Sequence, residues 1–226
     1  MIALRPKDAL YEQVARIGKA LAAPRRLELL DLLGQAPRTV EALAGQTGMS
    51  SANTSQHLQV LRAAGLVEAE KEGLYVTNRL ASDDVAAFCL RLRHLAESRL
   101  AEIEQVRRRF FATTQDLELL SGKELLRRAR RGEVVLLDVR PAVEYVAGHL
   151  PSAISIPHDE LRCRLKELPR KGRVVAYCRG PFCTYAVEAV KLLRARGFDA
   201  ARIEDGVVDW RARGLPIETS APATSR

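Results

Sequence analysis

Cys178 and Cys183 stand five residues apart in VVAYCRGPFCTYAVEAV, residues 174–190, in a chain with four cysteines. That spacing admits a nucleophile with a resolving partner, a metal clamp, a small disulfide, or one reactive thiol beside an inert one. The β-branched run before Cys178 predicts a buried strand, and TYAVEAVKLLRARG predicts a helix from near Thr184. A tight loop through Arg179, Gly180, Pro181 and Phe182 joins them. Successive loop N–H groups, backed by the positive end of the following helix, form a cradle for an anion. A cysteine in that field has a lowered pKa, and its thiolate is the nucleophile. Arg179 adds positive charge nearby. The residues alone therefore point to a thiolate at Cys178 that takes an anionic substrate. Two thiolates do not complete a tetrahedral metal site, and no Cys/His pair at zinc spacing stands nearby.

The elements that must position this loop have the pattern of a small α/β domain. EVVLLDV and RVVAYC are apolar runs without polar alternation, as expected of parallel strands covered on both faces. AISI and AARIED are weaker strands. GKELLRRARRG, AVEYVAG, HDELRCRLKEL, TYAVEAVKLLRARG and VVDWRARG are helical segments between and after them. Strand and helix alternate over residues 118–218. Ligands of such sheets sit at the carboxyl ends of the strands, where Cys178 stands. On the same reading Cys163 is a helix residue, Tyr177 a core residue and Phe182 a wall of the loop.

The first half reads as helix upon helix. Leu10, Val14, Ile17 and Leu21 have helical spacing, and Pro24 suits the first turn of PRRLELLDLLG. TVEALAGQTG has Thr39 as its cap. SSANTSQHLQVLRAAG starts on a serine cap and ends on Gly65. LVEAEKEGLYVTN predicts a hairpin around Lys71-Glu72-Gly73. A long helix follows from Ser82-Asp83 to about Phe110, with Phe88, Leu92, Ala96, Leu100, Ile103, Val106 and Phe110 at gaps of three or four. Cys89 on this helix reads as a small core residue.

This order is that of a winged helix-turn-helix, whose second turn helix enters the DNA major groove. Ser51, Asn53, Thr54, Ser55, Gln56, His57 and Gln59 are the candidate contacts on that helix, with Arg62 and Lys71 as candidate phosphate partners. Leu58 and Leu61 form its core face. Three short helices cannot cover the long apolar stripe, so it is expected to pack against a second copy in a two-fold dimer matched to a palindromic operator.

Composition fits this picture. The 226 residues allow two domains with their own cores. With 47% apolar and 28% charged residues the chain reads as soluble and globular. No run approaches the roughly 18 apolar residues of a membrane span, and the N-terminus has no signal-like core. No membrane partner and a cytoplasmic location are the expectations, with the cysteines held as thiols unless used for chemistry. The net charge of +8 divides as 16 basic against 13 acidic residues up to residue 115 and 20 against 15 after it. It permits a polyanionic partner without confining it to one half.

AAPRRLELLDLL and SQHLQVLRAAGLVEAEKEG resemble the ArsR family of bacterial repressors, over about residues 8–110. Relatives often sense metals through cysteines in the turn helices or through carboxylates and histidines on the dimer helix. VEALAGQTG has no cysteine. Asp83, His94 and Glu97, with Asp84 beside the first, make half of a zinc-like set, for which a solvated charged face is the preferred reading. No cofactor is required and zinc is not expected.

LLDVRPAVEYVAGHLPSAISIP, residues 136–157, and the stretch from VVAYCRGPFC to RARGLPIE resemble rhodanese domains. The resemblance implies that Cys178 attacks the outer sulfur of a donor and becomes a persulfide, held by loop N–H groups from Arg179 through Thr184. It also implies that Asp138, Arg140, Glu144 and His149 buttress the fold. Related phosphatases and arsenate reductases close a longer loop with arginine at the sixth position after the cysteine; Thr184 stands there. At the fifth position many sulfurtransferases have arginine, where this chain has Cys183, a candidate resolving thiol.

The expected architecture is thus two-domain, α plus α/β. Residues 1–111 form a winged helix-turn-helix with a long dimerisation helix, 112–117 a linker, 118–218 a rhodanese-like domain with a mostly parallel sheet, and 219–226 a tail. The expected function is a DNA-binding homodimeric regulator whose rhodanese domain accepts sulfane sulfur on Cys178, from thiosulfate, polysulfide or a low-molecular-weight persulfide, and couples sulfur and redox state to operator binding. Two alternatives stand beside it: a sulfurtransferase tethered to double-stranded DNA, and a metal-sensing repressor with a non-catalytic rhodanese domain.

Overall fold

Pro6 and Pro24 open the first two helices, α1 (Pro6–Leu21) and α2 (Pro24–Gln35). Proline suits this position because its missing N–H would have no helical partner there. The computed structural model describes residues 5–73, 75–111 and 121–220, and the chain forms two units, Met1–Arg91 and Leu92–Arg226. The expected linker at 112–117 lies outside the described residues, as do 221–226 of the expected tail.

In the first unit β1 (Arg38–Thr39) precedes α3 (Val40–Thr47), which Thr39 caps by accepting from the Ala42 N–H at 3.3 Å. Gly48 ends α3 with φ +69°, a left-handed conformation that suits glycine. Ser50 then caps α4 (Ser51–Ala63) by accepting from the Asn53 N–H at 3.2 Å. The strands β2 (Val67–Glu72) and β3 (Tyr75–Leu80) form the antiparallel hairpin, in a sheet ordered β1-β3-β2. β1 is too short to leave a pattern in the sequence. It exists because Arg38 pairs with Asn78, whose buried side-chain amide donates to the Arg38 carbonyl at 3.3 Å. Leu29, Leu30, Leu43, Leu58 and Leu61 are almost completely buried, each contributing about 1.5–3 kcal/mol.

The long helix expected from residue 83 to 110 is two helices, α5 (Asp83–Arg99) and α6 (Ala101–Phe111). At the junction Leu100 N–H still reaches the Ala96 carbonyl, but Ile103 N–H bonds three residues back, to Leu100. This tightening to an i−3 bond interrupts the α-helical ladder.

In the second unit the described elements continue with α7 (Gly122–Arg130), β4 (Val134–Asp138), α8 (Ala142–Ala147), β5 (Ile154–Ser155) and α9 (Leu161–Arg164), which runs into a 3₁₀ turn. Then come β6 (Arg173–Tyr177), α10 (Tyr185–Ala195), β7 (Ala200–Arg202) and α11 (Val207–Ala212). The four strands are all parallel, in the order β5-β4-β6-β7. Side chains alternate between two cores. Val174 and Ala176 join α10 and the α9 region, whereas Val175 and Tyr177 join Leu125, Leu126 and Trp210 of α7 and α11. Burial on both faces is why β4 and β6 show no polar alternation. Asp138 and Tyr177 are register partners at the carboxyl ends of β4 and β6, the two central strands.

Candidate functional site

Cys178 directly follows β6 and is 2% exposed. Its sulfur is joined to that of Cys183 in a disulfide, with the Cα atoms 6.2 Å apart. The loop between them turns back because Cys183 N–H donates to the Gly180 carbonyl at 3.2 Å, and Gly180 has φ +148°. Pro181 is buried and Phe182 is 52% exposed. Thr184 precedes α10, whose N-terminus faces the end of the loop. The pair thus stands as the disulfide, one of the four readings that the spacing left open. Cys89 and Cys163 are free thiols.

The residues around the loop form closed ion pairs. Asp138 and Arg140 are both fully buried; the Arg140 Nη2 donates to Asp138 Oδ2 at 2.6 Å and to the Gly148 carbonyl at 2.7 Å. Burial alone would lower the Arg140 pKa, but the charge and hydrogen bonds of Asp138 outweigh it and raise it. Tyr177, whose hydroxyl accepts from Leu150 N–H at 3.1 Å, has its pKa raised first by burial and then by the Asp138 charge. Arg179 donates to Glu144, a fully buried carboxylate on α8, at 2.6 Å and 3.0 Å. The charge next to Cys178 is therefore balanced by Glu144. His149 bonds the Tyr145 carbonyl at 2.8 Å and stacks on the Tyr145 ring. Its backbone pairs with Glu218 in both directions, while Ser220 N–H reaches the Val146 carbonyl.

Three residues at the site carried no signal that the sequence reading used. A Cβ on Gly206 would stand 2.9 Å from the Cys178 carbonyl oxygen and closer still to the Arg179 carbonyl, so only glycine fits there. Asp209, 2% exposed, caps α11 by accepting from Gly206 N–H at 3.0 Å. Its other oxygen accepts from Arg93, and a Cβ on Gly180 would meet Arg93 Nη1 at 3.0 Å. The available signal was Gly206 three residues before Asp209, a helix-start spacing. Nothing in the sequence pattern marks Arg93.

On α4, Ser51, Asn53, Gln56, Gln59 and Arg62 are exposed, Ser55 and His57 are partly so, and Lys71 is exposed on β2. Thr54 leaves the set of candidate DNA contacts: it is fully buried, and its hydroxyl donates to the Ser50 carbonyl at 3.0 Å. Leu58 and Leu61 occupy the core face of α4.

Among the described residues no group of three or more His, Cys, Asp or Glu side chains could hold a metal ion. His94 Nε2 stands 3.9 Å from Asp209, and Glu97 stands 3.8 Å from Arg93 Nε. No helix among the described residues is long and apolar enough to cross a membrane.

The rhodanese-like domain model matches residues 121–213, and the bacterial regulatory protein, arsR family, model matches residues 23–69. The HTH-type transcriptional regulator Rv0324 of Mycobacterium tuberculosis is 46% identical over 96% of this chain and 95% of its own. A protein named Sulfurtransferase from Allochromatium vinosum is 32% identical over 40% of this chain and 84% of its own. The solved winged helix-turn-helix fragment Mb0332 of Mycobacterium bovis is 46% identical, covers 44% of this chain and 94% of that one, and superposes with a TM-score of 0.41.

Proposed function

Because the chain belongs to the ArsR-type winged helix-turn-helix regulators that carry a rhodanese-like domain, we propose that it is an operator-binding homodimer whose affinity is set by sulfane sulfur on Cys178. The observation that carries this reading is the Cys178–Cys183 pair, bonded across a loop at the head of α10, on a chain that also matches the arsR-family model over residues 23–69. The exposed apolar residues Leu10, Tyr11, Val14 and Phe88 of the first unit and Leu100, Val106 and Phe110 of the second support burial against a second copy.

In the reduced protein the Cys178 thiolate attacks the outer sulfur of thiosulfate. The donor S–S bond breaks, sulfite leaves with its electron pair, and Cys178 becomes a persulfide. With polysulfide or a small persulfide the leaving group is the shortened polysulfide or the thiol. Cys183 as a thiolate then attacks Cys178 Sγ. The terminal sulfur departs as hydrosulfide and the disulfide remains. Two thiols lose two electrons, and one sulfane sulfur is reduced to sulfide, so no further oxidant is required. This chemistry starts from thiols, which a reducing cytoplasm maintains.

Operator affinity of the reduced protein, measured on a duplex selected from a random pool, tests the reading. The expected result is weaker binding after polysulfide treatment, with modification followed by intact mass. Cys178 gains about 32 Da, one sulfur atom, before the pair loses two hydrogens; Cys183→Ser halts at the first step. Unchanged affinity after full modification would overturn the proposal. A sulfurtransferase reading is supported by the similarity to the Allochromatium vinosum protein over the rhodanese part. Steady turnover of thiosulfate with cyanide, abolished in Cys178→Ser, would favour it.

A further inference from the structure

We propose that Arg93 is a positioning residue of the sulfur-accepting loop and that the state of the cysteine pair reaches α5 through it. This inference rests on the regulatory reading above. Arg93 stands in the second unit, outside the residues that match the rhodanese-like model. Its side chain is 16% exposed and touches the loop by two routes.

The first route is direct. Gly180 lies between the two cysteines with φ +148°, and a Cβ there would meet Arg93 Nη1 at 3.0 Å, so guanidinium and loop have no spare room between them. The second route runs through Asp209. One carboxylate oxygen accepts from Arg93 Nη2; the other accepts from Gly206 N–H at 3.0 Å. Gly206 in turn presses on the Cys178–Arg179 peptide, where a Cβ would stand 2.9 Å from the Cys178 carbonyl oxygen. One guanidinium thus braces the first half of the turn, directly at Gly180 and through Asp209 and Gly206 at the backbone of residues 178 and 179.

The bracing charge is shared. Glu97 Oε1 stands 3.8 Å from Arg93 Nε, and both atoms are buried without a hydrogen bond. Buried groups left in this condition favour rearrangement when a neighbour moves. Adding a sulfur atom to the reduced Cys178 and then closing the disulfide alters what the loop must enclose, and Gly180 and Gly206 give it contact with Arg93 and Asp209 when it moves. Arg93 is part of α5, a continuous helix that starts at Asp83 in the first unit. A displacement of its side chain therefore acts on an element shared with the operator-binding part of the chain.

The test compares operator affinity of reduced and polysulfide-treated full-length protein in the wild type, Arg93→Gln, Arg93→Lys and Asp209→Asn. Asparagine retains an oxygen for Gly206 N–H and removes the charge that Arg93 engages, so it gives a second variant if Arg93→Gln fails to fold. The wild-type ratio between the two states is expected in the range of about fivefold to 150-fold. It falls to within about twofold in Arg93→Gln and Asp209→Asn and is partly restored in Arg93→Lys. By linkage, operator DNA shifts the persulfidation equilibrium of Cys178 by the same factor in the wild type, and that shift is lost in Arg93→Gln. A large wild-type ratio retained in Arg93→Gln and Asp209→Asn overturns the role of Arg93 alone. A wild-type ratio of one overturns the regulatory reading and this inference together.

Discussion

Arg179 Nη2 donates to Glu144 Oε1 at 2.6 Å, joining the residue beside Cys178 to a fully buried carboxylate on α8. The arginine of the loop is therefore a strut tying the end of β6 to α8. Removing one partner of a buried ion pair leaves the other uncompensated, at a cost of about 3–5 kcal/mol. Glu144→Ala is expected to lose stability of that order in urea unfolding of the reduced protein. Glu144→Gln, which keeps a hydrogen-bond acceptor, should lose less. Equal losses in the two variants would mean that the charge contributes nothing.

Gly206 sets the shape of the loop from behind. Alanine there collides with the backbone of residues 178 and 179, which no side-chain rotation relieves. Gly206→Ala is expected to cost about 1–3 kcal/mol, as overpacking does, and to slow persulfidation of Cys178. A variant with wild-type stability and wild-type labelling of Cys178 by mass spectrometry would refute this account.

The two free thiols should separate by reactivity. Burial, with the nearby Asp31 charge adding to it, raises the Cys89 pKa to about 11, whereas Cys163 is exposed. At pH 8 alkylation should reach Cys163 first and Cys89 last. The folded value of Cys89 lies above the unfolded value of 9.0. Its contribution to stability is therefore complete below pH 9 and lost as pH rises through about 11. Unfolding curves of wild type and Cys89→Ala should keep a constant offset up to pH 9 and shift against the wild type above it.

On α4 the exposed amides and the buried hydroxyl should behave differently. Gln56→Ala and Gln59→Ala are expected to weaken operator binding, by up to about 1–3 kcal/mol where a bidentate base contact is lost, with unchanged unfolding. Thr54→Val should cost about 1 kcal/mol of stability through the lost bond to the Ser50 carbonyl. Anisotropy titrations and urea melts on the same samples distinguish the two effects.

Much of this protein was legible in its sequence because the relevant signals are local. Apolar spacing marked α1 and the stripe along α5 and α6; Pro24 marked the start of α2; unbroken β-branched runs marked β4 and β6; Ser50 and Gly48 stand where a helix start and a turn demand them. The same local reading put a cysteine at the end of a buried strand and a second one five residues on. It misjudged Thr54, because helical position alone does not say which polar side chain points at the core. It also drew α5 and α6 as one helix, because apolar spacing continues unbroken across Leu100.

What only the tertiary structure decided is which charges meet. Glu144 finds Arg179, Asp209 finds Arg93 more than a hundred positions away, and Gly206 comes to lie against Cys178. Pairings of this kind have no period and no fixed spacing. They depend on how strand order and helix packing bring distant segments to one end of the sheet. The sequence alone determined the two folds and set a cysteine at the end of a strand; the assembled structure determined which residues surround that cysteine.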